Sequence, residues 1–154
     1  MNFEFTEEQQ RFREEIRDFC RREPYGEIND GILPGFSPEF HRKVADKGWL
    51  GLVLPKEYGG QGRSLIEGTM LVEELAFQRA PMDYTGIGHN TFFIGGILLK
   101  HGSEKQKRYY LSGMARGEID VGQGFTEAGG GSDLLANTTR AVRQDEHKNK
   151  IQGY

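Results

Sequence analysis

The chain of 154 residues has little cysteine and proline, no long hydrophobic run and no excess of positive charge. The single cysteine, Cys20, excludes an internal disulfide framework and a cysteine-rich metal site. The longest apolar patch, around residues 92–99, is interrupted by glycines and is too short to cross a bilayer. The net charge of −3 argues against a nucleic-acid binder, which would be strongly basic. No cationic stretch followed by an apolar one opens the chain, so we expect no signal peptide, no membrane association and a cytoplasmic location.

Glycine, in contrast, is abundant, with 22 residues, and it is concentrated in the run GFTEAGGGSD at positions 124–133. Glycine adopts positive φ angles at little cost and leaves the backbone open to a ligand. Successive N–H groups in such a turn can form a concave site for an anion. Composition alone favours a flexible linker. The ordered pattern on either side of the run favours a loop that contacts a polar ligand.

The region before this run carries strong helix signals. Three capping boxes mark helix starts: Thr6 with Gln9, Ser64 with Glu67, and Ser103 with Gln106. Ser37 followed by Pro38 predicts a further start, with serine as the N-cap. We place helix ends at Gly48, Pro81, Gly102 (as a C′ glycine) and Gly117. Apolar residues recur at helical spacing between these signals, for example Phe12, Ile16, Phe19 and Cys20.

The hydrophobic pattern changes near residue 118. Larger side chains at Ile119, Val121, Gln123 and Phe125 alternate with small or acidic residues, and a period of two predicts a strand. Residues 138–143 form a second strand candidate and residues 150–154 a third. We therefore predict a mainly α chain, with an all-helical N-terminal domain at 1–117 followed by the first strands of an incomplete β-domain at 118–154.

The order of these motifs resembles the N-terminal portion of the acyl-CoA dehydrogenase family of flavoproteins. The matching segments are LPKEYGGQG at 54–62, GSEKQKRYYL at 102–111, Gly117-Glu118, and FTEAGGGSD at 125–133. The last is close to the family signature Thr-Glu-Pro-x-x-Gly-Ser-Asp. Ala128 stands where proline is usual, and Phe125 is bulkier than the common residue beside the flavin. The resemblance covers essentially the whole chain, in the family's order and spacing.

The resemblance implies a fold and a reaction. Members of the family have an N-terminal helical domain, a middle β-domain and a C-terminal helical bundle, with FAD between the last two. They are oxidoreductases of fatty acid and lipid metabolism that remove the α-proton of an acyl-CoA while a hydride leaves Cβ for the flavin. The implied partners are the acyl-CoA substrate, an electron-transfer flavoprotein as acceptor, and further copies in a homotetramer or homodimer.

The resemblance also assigns residues to the cofactor. Gln123, Phe125 and Thr126 occupy the strand that lines the flavin ring, where backbone amides and the Thr126 hydroxyl would bond the polar edge of the ring. Gly131 and Ser132 fall at the pyrophosphate contact, and Ser132 also lies near the acyl-CoA entrance. For Thr126 and Ser132 the alternative is a purely structural role in a strand or turn. For Gln123 a structural role is equally favoured.

No catalytic residue is expected in this chain, because the family's catalytic glutamate lies downstream of the position matching Tyr154. We expect Glu127 to hydrogen-bond the loop backbone rather than to act as a base. The four histidines are dispersed without the spacing of metal ligands, so no metal site is predicted.

Three functions fit these observations. The first is an acyl-CoA dehydrogenase of which these residues are the N-terminal portion, inactive alone. The second is a non-catalytic partner subunit or interaction module that completes a site with another chain. The third keeps the fold but changes the chemistry to that of an acyl-CoA oxidase or flavin monooxygenase.

Overall fold

The structure, a computed structural model, describes residues 4–23, 37–81 and 87–140, with the backbone alone at 88 and 89. The chain divides into two compact units, Met1–Gly122 and Gln123–Tyr154. The first unit is helical and has its own core. The predicted domain boundary between 117 and 118 stays a prediction, and the compact units divide a few residues later.

The first unit is built from short helices joined by tight turns. The α-helices are α1 (Glu7–Arg22), α2 (Pro38–Asp46), α3 (Leu65–Phe77), α4 (Gly95–His101), α5 (Glu104–Gln106) and α6 (Ser112–Ala115). Two π-helical segments, Gly88–Ile94 and Lys107–Leu111, lead into α4 and α6. Two 3₁₀ turns, Trp49–Gly51 and Lys56–Tyr58, lie between α2 and α3. The prediction of a mainly α chain is confirmed.

The predicted helix starts are confirmed atom by atom. All three capping boxes form, each with the N-cap hydroxyl accepting a backbone N–H and the partner side chain returning to the N-cap amide. At Ser37 the hydroxyl accepts the Phe40 N–H at 3.2 Å, and Pro38 opens α2. These starts need only residues three apart, which is why the local sequence predicts them.

The helix ends are less regular. Gly48 and Gly117 both have a φ of +69°, as expected for glycines that stop helices. Gly102 is not a left-handed C′ residue: its backbone is extended (φ −72°, ψ 147°) and its N–H donates to Leu98 O at 2.8 Å. A Cβ at Gly102 would lie 2.7 Å from Leu98 O. A close approach to the preceding turn, rather than a positive φ, therefore accounts for this glycine.

Two apolar clusters form the core of the first unit. The larger one joins α1, α2 and α3 around Trp49, whose ring meets Phe19 at 4.9 Å and Phe12 at 6.0 Å between centroids. The predicted stripe of α1 is buried there, and burial raises the pKa of the Cys20 thiol to about 11. Cys20 is therefore a residue of the buried core. The second cluster contains Leu54, Tyr58, Leu111, Met114 and Ala115.

A buried ion pair joins α1 to α3. Glu74 is 3% exposed, and both of its oxygens are engaged by arginines of α1. Arg17 Nε and Nη2 each lie 2.8 Å from a carboxylate oxygen of Glu74, and Arg13 Nε lies 2.9 Å from Oε1. A buried carboxylate needs such partners because an uncompensated charge is costly to desolvate.

The second unit contains no ladder of paired strands in its described part, residues 123–140. The β-type pairing there is one isolated bridge between Glu127 and Gly130. The alternating stretch at 119–125 therefore does not form a paired strand, because a strand exists only with a partner to bond. Residues 141–143 of the second predicted strand, and all of the third, lie outside the described residues.

None of the helices in the described ranges is long and apolar enough to cross a bilayer. The same ranges hold no group of three or more histidine, cysteine, aspartate or glutamate side chains that could bind a metal.

Candidate functional site

The glycine-rich run forms a tight turn rather than a loose linker. The Glu127 N–H donates to Gly130 O at 2.9 Å, and the Gly130 N–H donates to Glu127 O at 3.1 Å. Ala128 and Gly129 form the tip between them. This reciprocal pair closes the chain on itself and sets the path of the residues that follow.

The carboxylate of Glu127 holds the returning chain. Its Oε2 accepts the Thr138 N–H at 2.8 Å and the Thr138 hydroxyl at 3.1 Å, and its Oε1 accepts the Thr139 N–H at 2.9 Å. Hydrogen bonding from the Thr139 side chain, and from the Thr138 and Thr139 backbone, lowers the pKa of Glu127 to about 2. The expectation that Glu127 bonds the loop backbone is confirmed. A carboxylate held in this way is poorly suited to take a proton from a substrate.

A hydrogen bond from Asn137 joins the two sides of the turn, and Gly130 leaves room for the Asn137 side chain. The Asn137 side-chain amide donates to Phe125 O at 2.6 Å, and a Cβ at Gly130 would lie only 2.3 Å from Asn137 Oδ1. Glycine is therefore required at 130 for space. The sequence did not single out either residue, and Asn137 carries no local signal because its partner lies twelve positions away.

The five residues predicted to contact the cofactor are Gln123, Phe125, Thr126, Gly131 and Ser132, and all are exposed in the second unit. The structure brings Thr126 and Gly131 together, since a Cβ at Gly131 would lie 3.7 Å from Thr126 Cγ2. The Phe125 carbonyl accepts the hydrogen bond from Asn137, while the residue as a whole remains 52% exposed. Among the described contacts, none joins Gln123 to the other four residues.

The donors of this turn fit the polar groups of a flavin nucleotide. Among the described residues, the hydroxyls of Thr126 and Ser132 have no hydrogen-bond partner, and neither do the N–H groups of Gly131, Ser132 and Asp133. The polar edge of a flavin ring and a pyrophosphate both accept hydrogen bonds from such groups. Gly131 has room for a close approach, because only one atom lies within 4 Å of a Cβ placed there.

Residues 6–118 match the family model for the acyl-CoA dehydrogenase N-terminal domain. The chain is 30% identical to acyl-CoA dehydrogenase FadE26 of Mycobacterium tuberculosis over 95% of its own length and 38% of that protein. It is 32% identical to the short-chain-specific acyl-CoA dehydrogenase of Clostridium acetobutylicum, over 96% of its own length and 39% of that protein.

Similarity to solved structures agrees. The ChsE4–ChsE5 complex of Mycobacterium tuberculosis aligns with a TM-score of 0.73 and 31% identity, over 94% of this chain and 37% of the matched chain. This chain thus spans less than two fifths of the length of the relatives it matches. The family model covers most of its residues, and the chain belongs to the acyl-CoA dehydrogenase family.

Proposed function

We propose that the protein containing this chain is an FAD-dependent acyl-CoA dehydrogenase that introduces a double bond between Cα and Cβ of an acyl-CoA thioester. The observation that carries the proposal is the turn at 126–133, whose Thr126 and Ser132 hydroxyls have no partner among the described residues. In a chain of this family, that set of exposed donors fits a flavin nucleotide.

We assign the residues as follows. The backbone at Gln123 and Phe125 and the Thr126 hydroxyl bond the polar edge of the flavin ring, and the exposed Phe125 side chain lies beside it. Gly131 and the Ser132 N–H hold the pyrophosphate, and the Ser132 hydroxyl also meets the acyl-CoA. FAD, when bound, supplies a two-electron acceptor for the hydride.

This chain binds and orients rather than transfers protons. Glu127 is committed to Thr138 and Thr139, so it is not the base that removes the α-proton. We propose no catalytic residue in residues 1–154. Because positioning accounts for much of the rate of such reactions, holding the cofactor at a fixed place is a contribution of its own.

The partners of the complete protein remain proposals. They are an acyl-CoA substrate, an electron-transfer flavoprotein as acceptor, and further copies of the protein in a homodimer or homotetramer. A cytoplasmic location and a role in fatty acid metabolism also remain proposals.

The first experiment compares the flavin spectra of two purified polypeptides, residues 1–154 and the full reading frame, before and after anaerobic addition of acyl-CoA. We expect the longer polypeptide to be yellow and to bleach, and residues 1–154 to be colourless and inactive. A complete protein that binds no flavin would contradict the proposal. Rapid oxygen consumption by the reduced protein would instead favour an oxidase or monooxygenase.

Variants of the complete protein test the residue assignments. Thr126→Val and Ser132→Ala each remove one hydroxyl, and each should raise the Kd for FAD by about tenfold, the equivalent of one hydrogen bond. Thr69→Val is the matched control, because that exposed hydroxyl, within the described part of the chain, donates to Leu65 O of its own helix. An unchanged Kd in both Thr126→Val and Ser132→Ala would assign these hydroxyls a structural role.

The second candidate function is a partner subunit that completes its site with a different chain. The observation that favours it is the similarity to a protein solved as the ChsE4–ChsE5 complex. Co-expression with candidate partner chains tests it. If flavin is retained only by the pair, and not by the complete protein alone, the partner-subunit function replaces the first proposal.

A further inference from the structure

Three polar side chains from different parts of the helical unit meet just before the chain leaves that unit. His41 of α2 is 5% exposed, and so is Asn90 of the first π-helical segment. Both reach Asp120, whose Oδ1 lies 2.8 Å from Asn90 Nδ2 and 3.4 Å from His41 Nε2. Most buried polar groups in proteins are hydrogen-bonded, and the buried amide of Asn90 meets this requirement through Asp120.

The amide of Asn90 engages two consecutive residues of the departing segment. While its Nδ2 donates to Asp120, its Oδ1 accepts the Val121 N–H at 3.0 Å. Among the described residues, no backbone carbonyl accepts that N–H. The side chain of Asn90 therefore accepts a backbone N–H that the carbonyl of a neighbouring strand would accept in a sheet.

Val121 is the last residue of the helical unit that a described hydrogen bond holds. Gly122 and Gly124 follow, and among the described residues a Cβ at either would meet nothing within 4 Å. Gln123, the first of the proposed flavin contacts, is two positions after Val121. The hydrogen bond from Asn90 thus holds the chain two positions before Gln123.

We propose that Asn90, oriented by Asp120, is a positioning residue for the flavin-contacting segment. The inference rests on the proposed function for its link to FAD, but the anchoring of Val121 can be tested without FAD. Asn90 touches neither cofactor nor substrate in this proposal, and it acts by holding Val121.

The key variants exchange the two partners. Asn90→Asp keeps an acceptor for the Val121 N–H but sets a second carboxylate against Asp120. In the double variant Asn90→Asp with Asp120→Asn, the amide is at position 120 and the carboxylate at position 90, so the number of donors and acceptors is restored. Asp120→Ala, at a partly exposed position, is a further variant in case Asn90→Asp does not fold.

Thr91→Val is the matched control. Thr91 is the next residue on the same helix, is 2% exposed, and donates its hydroxyl to Leu50 O. The variant therefore loses a buried side-chain hydrogen bond that does not involve Asp120 or Val121.

The measurements use the complete protein, with FAD and after its removal. We expect Asn90→Asp and Asp120→Ala to raise the Kd for FAD by about tenfold, and hydrogen–deuterium exchange at 121–126 by a similar factor. The double variant should restore both values to within about threefold of the wild type. Thr91→Val should lower Tm while leaving the Kd for FAD and the exchange at 121–126 unchanged.

Several results would overturn the inference: unchanged exchange at 121–126 in Asn90→Asp and Asp120→Ala, no recovery in the double variant, or an equal rise in Kd in Thr91→Val. If the wild type binds no FAD, the proposed function fails. The exchange at 121–126 then decides the inference alone: a rise in Asn90→Asp that the double variant reverses supports it, and no rise overturns it.

Discussion

The carboxylate of Glu127 accepts hydrogen bonds from two consecutive threonines, and at the scale of single residues this contact matters most to the candidate site. It ties residues 138 and 139 to the start of the glycine turn. Because a hydrogen-bonded carboxylate favours its charged form, the contact is linked to pH.

We expect the Glu127 contact to be lost only in strong acid. The pKa of its carboxylate is about 2 in the folded chain and about 4.3 in an unfolded one. A lowered pKa contributes stability that is fully present above pH ~4.3 and is lost as the pH falls through about 2. NMR shifts of the Thr138 and Thr139 amides should titrate with a midpoint near 2. A midpoint near 4.3 would contradict the contact, and Glu127→Gln should abolish the titration.

Two neighbouring glycines should differ sharply in their tolerance of alanine. A Cβ at Gly130 would lie 2.3 Å from Asn137 Oδ1, whereas one at Gly129 would meet nothing within 4 Å. Asn137 cannot swing away without releasing Phe125 O. Gly130→Ala should therefore destabilise the turn by about 1–3 kcal/mol, and Gly129→Ala should be close to neutral. Hydrogen–deuterium exchange at 125–139 measures the difference, and equal exchange in the two variants would refute it.

At the scale of secondary-structure elements, α3 ends in a strained residue. Arg79 is the one non-glycine residue in the described ranges with a positive φ, 56°. Its N–H donates to Ala76 O at 2.9 Å and the Ala80 N–H donates to Leu75 O at 2.9 Å, the pattern of a Schellman motif. Glycine usually occupies this position because a Cβ is disfavoured there.

Replacing Arg79 by glycine should therefore stabilise the protein. We expect Arg79→Gly to raise the free energy of unfolding by about 1 kcal/mol, since it removes the cost of a left-handed side-chain residue. Arg79→Ala is the control, because it removes the long side chain but keeps the strain. Chemical denaturation of both variants measures the effect. If Arg79→Ala stabilises as much as Arg79→Gly, the backbone is not the cause.

At the scale of the whole molecule, the helical unit depends on contacts between helices that are far apart in the sequence. Glu74 of α3 binds Arg13 and Arg17 of α1, residues about sixty positions earlier. Neighbouring Glu73 also meets Arg13, but its side chain is 62% exposed. The two ion pairs should therefore contribute differently to stability, because water screens the exposed pair of Glu73 but not the buried pair of Glu74.

Thermal unfolding should show this difference between Glu73 and Glu74. Glu74→Gln leaves two arginines facing a buried neutral side chain, and it should lower Tm by several degrees, whereas Glu73→Gln should leave Tm nearly unchanged. Circular dichroism at 222 nm follows the loss of helix in both variants. A small effect at both positions would show that hydrophobic packing alone joins α1 to α3.

The sequence by itself determined the helix starts, the apolar stripe of α1, the family and the glycine-rich turn. The helix starts, the stripe and the turn each depend on residues within a few positions of one another, and the family resemblance depends on several such motifs in order along the chain. The role of Glu127 was predicted from its place in the family motif, although its partners Thr138 and Thr139 lie 11 and 12 positions later. The π-helical segments were not, because a π turn differs from an α turn only in which carbonyl each N–H meets.

Only the tertiary structure decided which polar side chains hold the helical unit and its last segment. Asn90 lies thirty positions before Asp120, and Glu74 nearly sixty after Arg17. In the sequence these residues look like ordinary surface amides and charges. Packing removes water from around them, and a buried polar group must then find a partner or lose its hydrogen bonds. Which partner it finds depends on how the helices are placed, and no local pattern specifies that.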